Sequence, residues 1–329
     1  MKAMITKKGW FSSTLEQQEV KVPKIKNNEV MIKVYAVGVN RGDLIKVGAC
    51  PGLECSGIIE SVGRNVDYWK VGDRVCAILE GGGYAEKVAV PADFLLPLPD
   101  DIDLADAAGL PYASCSIWIA LFKMHDRSAL KDKTILIHEG TSAVGALAIK
   151  YAKYMGLKVI ATTGSSNMVS TCLGYGADYC LDHTLTFFVS KILQKTRLAG
   201  VDFVLDYGAS NLQRYIECCS FWGKVVLVDL HGKKLTGSID LCKLERKQVE
   251  IKAFDLQSRD LVYKASVIAE VRAHLWPAVL EKRVVPVIEH RFPVNEAQKA
   301  WKLFQKNDLI GKIILHMNFD EVLRHLKMD

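Results

Sequence analysis

The segment TILIHEGTSAVGALAIKYAKYMGLKVIATTG, residues 134–164, decides how the chain is read. Thr134 to His138 is a short continuous apolar run, the pattern of a strand buried on both faces. Glu139 to Gly145 is a turn in which Gly140 and Gly145 supply a permissive backbone. Ala146 to Met155 is apolar along one helical face, and Gly156 closes it as a C-cap. Lys158 to Thr162 is a second strand. Strand, glycine turn, helix and strand in that order can hold a diphosphate. The chain turns sharply, approaches the ligand closely and aims free helix N–H groups at it. The spacing departs from GxGxxG, and Ala143 stands where a third small residue is needed.

Downstream the alternation continues. Ser170 to Tyr175, ended by Gly176, reads as a helix, and Tyr179 to Leu181, Val201 to Asp206 and Lys224 to Asp229 read as strands. Strands alternating with helices specify an α/β fold with a doubly wound parallel sheet. Upstream the texture is different. Val30 to Val37, Gly57 to Val62 and Tyr84 to Val90 are strand-like, with turns at Gly42-Asp43, Gly72-Asp73 and Gly81-Gly82-Gly83. That spacing predicts a compact barrel-like β domain. Asp103 to Leu110 and Cys115 to Phe122 are helical in pattern. From Val284 short strands return around one helix, Asn295 to Lys306, and Phe319 to Lys327 reads as a short amphipathic helix. The predicted domains are 1–122, 123–271 and a return to the first over 272–329.

Composition agrees with this division. A chain of 329 residues suggests about two domains at roughly 150 residues each. With 50% apolar and 24% charged residues it is neither disordered nor a small stapled scaffold. A net charge of +6 with no block of like charge argues against nucleic acid as a partner. The nine cysteines contain no CxxC pair and read as buried reduced thiols, with Cys218-Cys219 a helical pair facing two directions. No leader sequence and no apolar stretch near the roughly 20 residues of a membrane span is apparent. The expectation is a cytoplasmic protein away from membranes. Phe187, Phe188 and Trp222 read as core, and His274-Leu275-Trp276-Pro277 as a helix end.

The end of the second strand bears on the cofactor. An acid there would hold a ribose 2′-OH and repel a 2′-phosphate. Thr162 to Met168 contains none, and the hydroxyls of Ser165 and Ser166 at Gly164 suit a phosphate. That favours NADPH.

MKAMI, EVMIKVYAVGVNRGDL, PGLECSGIIESVG, WKVGDRVCA, GGGYAEKVAVP and IGKIIL resemble the zinc-free quinone oxidoreductases of the medium-chain dehydrogenase/reductase superfamily, and among them the plant group similar to p53-inducible quinone oxidoreductase. The resemblance covers nearly the whole chain. It implies a GroES-like β domain built from both chain ends, a central Rossmann domain, a cleft between them, NADPH and a homodimer. It aligns the catalytic zinc ligands of other members with Asn40, Leu53 and Tyr112, a set unsuited to zinc. Metal-free hydride addition to an activated C=C, in an enone, quinone or unsaturated iminium compound, is the activity implied. Tyr112 and Asn40 would be the catalytic donors. Ser116, Gly140, Ser142, Ala143, Val144, Gly145, Gly164, Ser165, Ser166, His183, Gly208, Leu230 and Lys312 would line the cofactor, with a surface role for Lys312 the alternative.

Several positions depart from the resemblance. The loop Lys46 to Pro51 is short. Met168 replaces a phosphate-binding Lys, and His183 a Tyr. Asp229 and Asp255 stand where relatives have Gly, and as catalytic-site acids they would favour a cationic small-molecule substrate. The competing function is a non-redox isomerase, cyclase or binding protein with the cofactor absent or structural.

Overall fold

The computed structural model describes residues 1–8, 13–44, 48–123, 130–185, 187–207, 211–228, 230, 237–306 and 309–319. Its strands, in chain order, are β1 (Lys2–Lys8), β2 (Ser13–Glu19), β3 (Glu29–Gly38), β4 (Glu54–Val62), β5 (Arg74–Ile78), β6 (Lys87–Pro91), β7 (Leu95–Pro97), β8 (Thr134–Ile137), β9 (Lys158–Thr163), β10 (Tyr179–Asp182), β11 (Val201–Asp206), β12 (Cys219–Val228), β13 (Glu250–Phe254), β14 (Ile288–Pro293) and β15 (Lys312–His316). The helices that matter below are α1 (Leu104–Ala107), α2 (Pro111–Trp118), α3 (Ala143–Tyr154), α4 (Val169–Gly174), α5 (Phe188–Lys195), α6 (Leu212–Cys218), α7 (Leu241–Lys247) and α8 (Leu261–His274).

The chain divides into two compact units. One comprises Met1–Ala113, Leu261–Trp276 and Pro286–Asp329; the other comprises Ser114–Asp260 and Pro277–Val285. The boundaries differ from the expected 122/123 and 271/272. In α2 the Tyr112 N–H donates to Glu54 Oε2 (2.9 Å) in the first unit, whereas Ser114 Oγ shares a hydrogen bond with Tyr151 Oη (2.8 Å) in the second. Helix α8 belongs to the first unit because Lys264 pairs with Glu80 (2.5 Å) and Arg272 donates to the Leu95 carbonyl.

The first unit holds a seven-stranded sheet ordered β14-β15-β3-β4-β5-β7, with β6 also paired to β3, and the separate hairpin β1-β2. In β3 the exposed Lys33 and Tyr35 alternate with buried Ile32, Val34 and Ala36, as the sequence pattern requires of a sheet with one wet face. The helical stretch Leu104–Lys123 is 20 residues long and apolar enough to cross a membrane, which corrects the expectation that no such stretch exists; it is 94% buried inside the protein.

The second unit is a six-stranded parallel sheet ordered β10-β9-β8-β11-β12-β13. The chain runs outward from β8 through β9 to β10, then returns to β11 on the other side of β8. That reversal is the switch point beside which such sheets bind ligands, at the carboxyl ends of the strands. His138 and Asp206 lie at those ends. One apolar cluster, including Leu136, Phe188, Ile192, Tyr215 and Leu227, packs between the sheet, α5 and α6.

Two readings are corrected here. Cys218 ends α6 and Cys219 begins β12, so the pair spans a helix-to-strand junction, both thiols buried. Of the expected aromatic core only Phe188 is buried; Phe187 and Trp222 are both 69% exposed. Of Phe319 to Lys327, only Phe319 lies among the described residues.

Candidate functional site

Two polar centres emerge, one in each unit. In the first unit, Glu54 opens β4 and is fully buried, as is most of Lys312, which opens β15. The Lys312 ammonium lies 2.7 Å from Glu54 Oε1 and donates to Asn40 Oδ1, also at 2.7 Å. Asn40 Nδ2 donates to Glu54 Oε1 (2.9 Å) and to the Gly38 carbonyl (3.2 Å). A Cβ on Gly38 would stand 2.3 Å from Glu54 Oε1 and 2.7 Å from Lys312 Cε, so only glycine leaves room for the ion pair. The surface alternative for Lys312 is therefore excluded by its burial.

Asp43 closes the same centre. Its carboxylate accepts from the N–H of Asn40 (2.7 Å) and of Gly52 (3.1 Å) and from the Tyr84 hydroxyl (3.2 Å). Burial pushes this carboxyl up to about 7, against those donors and the Lys312 charge. A cavity of about 270 Å³ opens beside it, walled by Asp43, Cys50, Leu53, Glu80 and the glycine backbone of Gly52 and Gly81. Tyr112 is buried, hydroxyl included.

This chemistry can be tested against zinc. Leu53 offers no ligand atom, Asn40 spends its oxygen on an ammonium, and Tyr112 is a poor zinc ligand. A cation, Lys312, already neutralises Glu54. The residues do not fit a catalytic zinc.

In the second unit the turn after β8 is tied to β9. The Glu139 N–H donates to Thr162 Oγ1 (3.3 Å) and the Gly140 N–H to the Thr162 carbonyl (2.7 Å). A Cβ on Gly140 would meet Cys172 Sγ at 2.9 Å and Ala161 at 3.0 Å; one on Gly145 would stand 2.2 Å from the Glu139 carbonyl. Both glycines are thus required by close packing of turn, strand and helix. Ser142 is the N-cap of α3: its hydroxyl donates to the Glu139 carbonyl (2.8 Å) and accepts from the Gly145 N–H (3.1 Å). That hydroxyl is committed to the cap rather than open to a cofactor. The first-turn N–H groups of Ala143 and Val144 have no intrahelical acceptor and are available to an anion. A diphosphate fits this cradle.

Beyond β9, a Cβ on Gly164 would make ordinary contacts with His183 and Glu139, whose nearest atoms lie 3.7 and 3.9 Å away. Ser166 Oγ donates to Asp182 Oδ2 (2.8 Å), which spends its proton, whereas Ser165 Oγ accepts from the Asn167 N–H. His138 lies at the end of β8, its Nδ1 bonded to Thr162 Oγ1 (2.9 Å); burial and the neighbouring His183 hold it down to about 3. The rings of His138 and His183 are 4.5 Å apart. With Glu139 they form a cluster whose ligand atoms lie within 4.8 Å of one another. A tetrahedral zinc shell needs edges of about 3.3 Å, so this spread is wider than a formed metal site.

The remaining positions are dispersed. Ser116 is buried in α2. Leu230 packs against the apolar cluster of the second unit. Asp255 accepts from the Gln257 N–H (3.0 Å) in a local turn. Gly208 and Asp229 lie outside the described residues. Reading the sequence missed Glu54, Asp43 and Glu139. An acid inside the apolar strand start of PGLECSG was the available signal for Glu54; nothing local marks Glu139, whose importance comes from what the fold sets beside it.

Comparison with known proteins now adds to this geometry. Residues 26–100 match the alcohol dehydrogenase GroES-like domain and residues 143–271 the zinc-binding dehydrogenase family. A quinone oxidoreductase of Rattus norvegicus is 30% identical over 315 residues, covering 91% of this chain and 92% of the relative. The Homo sapiens quinone oxidoreductase is 26% identical over 314 residues, with the same coverage. Among solved structures, Escherichia coli quinone oxidoreductase complexed with NADPH superposes with a TM-score of 0.82 at 22% identity, covering 96% of this chain and 99% of that one. For 2-haloacrylate reductase the TM-score is 0.80 at 25% identity, with the same coverage.

Proposed function

The chain belongs to the medium-chain dehydrogenase/reductase superfamily, with quinone oxidoreductases as relatives, and from that premise we propose a zinc-independent, nicotinamide-dependent reductase of activated carbon–carbon double bonds. The observation that carries the reading is the buried Lys312 ammonium held by Glu54 and by Asn40, one of the three positions that the resemblance aligns with catalytic zinc ligands. A bound reduced nicotinamide would supply hydride to the β-carbon of an enone, quinone or unsaturated iminium compound. The start of α3 would bind the diphosphate through the Ala143 and Val144 N–H groups, with Gly140 and Gly145 allowing its approach. As charge collects on the distant substrate oxygen, preset donors stabilise it. Lys312 and Tyr112 carry such donors, and the Tyr112 hydroxyl would return a proton to the product. Asn40 positions the ammonium.

Of the finer features, the acid-free stretch Thr162 to Met168 speaks for NADPH, and Glu139 speaks against it. Asp255 is the described acid that would favour a cationic substrate, although its local turn already uses one oxygen. A homodimer through the second unit is supported by β13, which pairs only with β12 among the described residues.

A panel of enones, quinones and unsaturated iminium compounds, each with NADH, NADPH or neither and with a chelator present, tests the proposal. Reduced product that depends on the dinucleotide and resists the chelator is expected. Isomerised or cyclised product without either dinucleotide would replace it with the non-redox reading.

A further inference from the structure

The surroundings of Gly164 decide which dinucleotide this chain accepts. Glu139 has φ +54°, in the left-handed region that costs a non-glycine residue energy. Its N–H bond to Thr162 and that of Gly140 anchor this backbone to the end of β9. The half-exposed carboxylate therefore emerges beside the second strand. Its Oε1 lies 3.9 Å from where a Cβ on Gly164 would be, and His183 Cε1 lies 3.7 Å from the same point. His183 Nε2 is 3.5 Å from Glu139 Oε1, and His183 Nδ1 is buried with no partner among the described residues.

The neighbouring charges reinforce the acid. Asp182 accepts from Ser166 and Thr184, which adds a second acid beside this turn; burial and the Asp206 charge raise the Glu139 carboxyl, and the His183 ring opposes them. Arg214 is committed to the His183 carbonyl (3.2 Å). Position 168, in the turn after Gly164, is a Met. An acid beside the end of the second strand accepts from ribose hydroxyls and repels a 2′-phosphate. In this chain that acid arrives through space from the first turn.

Resting on the nicotinamide reading, we propose that Glu139, held in place by His183, reads the adenosine ribose and makes the chain prefer NADH to NADPH. The test is binding rather than turnover. Fluorescence titration with NADH and NADPH is paired with calorimetry of adenosine 5′-monophosphate and adenosine 2′,5′-bisphosphate, on the full chain. The member of each pair that lacks the 2′-phosphate is expected to bind at least about tenfold more tightly. Glu139→Gln should bring both ratios within about threefold. Glu139→Gly should do the same, and because φ +54° suits glycine it provides a variant that folds. Tighter binding of the 2′-phosphorylated ligands, or ratios that neither variant moves, would overturn this inference and leave the nicotinamide reading standing. No binding of any of the four would remove both.

Discussion

Lys312→Met removes the ammonium that neutralises Glu54. Glu54 is wholly buried, and its remaining partners are the Asn40 amide and the Tyr112 N–H, both neutral and both at 2.9 Å. Two neutral donors do not replace a cation for a carboxylate cut off from water. Removing one partner of a buried ion pair costs about 3–5 kcal/mol. For a unit of this size that is a fall in Tm of roughly 6–20 °C, measured by thermal denaturation at pH 7. Exchanging both members separates charge from packing. Glu54→Gln in the Lys312→Met background leaves no uncompensated charge and is expected to recover more than half of the loss. A fall below about 2 °C for the single variant would show that the pair is not desolvated as described. So would a double variant no more stable than the single. Activity adds a second reading: if Lys312 stabilises the developing charge, the double variant regains stability while its turnover stays at least about tenfold low.

Gly145→Ala places a Cβ 2.2 Å from a backbone carbonyl, which cannot swing away; about 2–3 kcal/mol of stability should be lost, with dinucleotide titration weakened at least about tenfold. The Asp43 carboxyl, pushed by burial to about 7 in the fold, lies above its unfolded value of about 3.9. The stability linked to it is therefore complete below about pH 4 and lost as pH rises through 7. Asp43→Asn should be less stable overall, because its amide N–H2 would face the Gly52 N–H. Its Tm should nevertheless decline less between pH 5 and 8 than that of the parent, as differential scanning calorimetry would show. His138, held down to about 3, lies below the unfolded value of about 6.5. Its contribution is whole above pH 6.5 and lost as pH falls, so its ring resonances should not move between pH 5 and 8 in an NMR titration.

Much of the architecture was legible from periodicity. Val201 to Asp206 was read as a strand with the limits it has in the fold, and the helix before Gly156 ends within a residue of its predicted stop, because β burial and helix caps leave local signatures. The positions where the reading went wrong depend on contacts distant in sequence. Trp222 has the composition of a core residue but stands exposed with φ +62° in β12.

The sequence by itself determined a parallel α/β sheet with a glycine turn between its first strand and helix, and short strands toward both chain ends. Such features depend on neighbours within a few residues. Only the tertiary structure decided that Lys312 joins Glu54 across 258 positions, and that Glu139 and His183 meet at Gly164. Charge acts through space, so an ion pair or an acid beside a strand end exists only once the chain has folded around it.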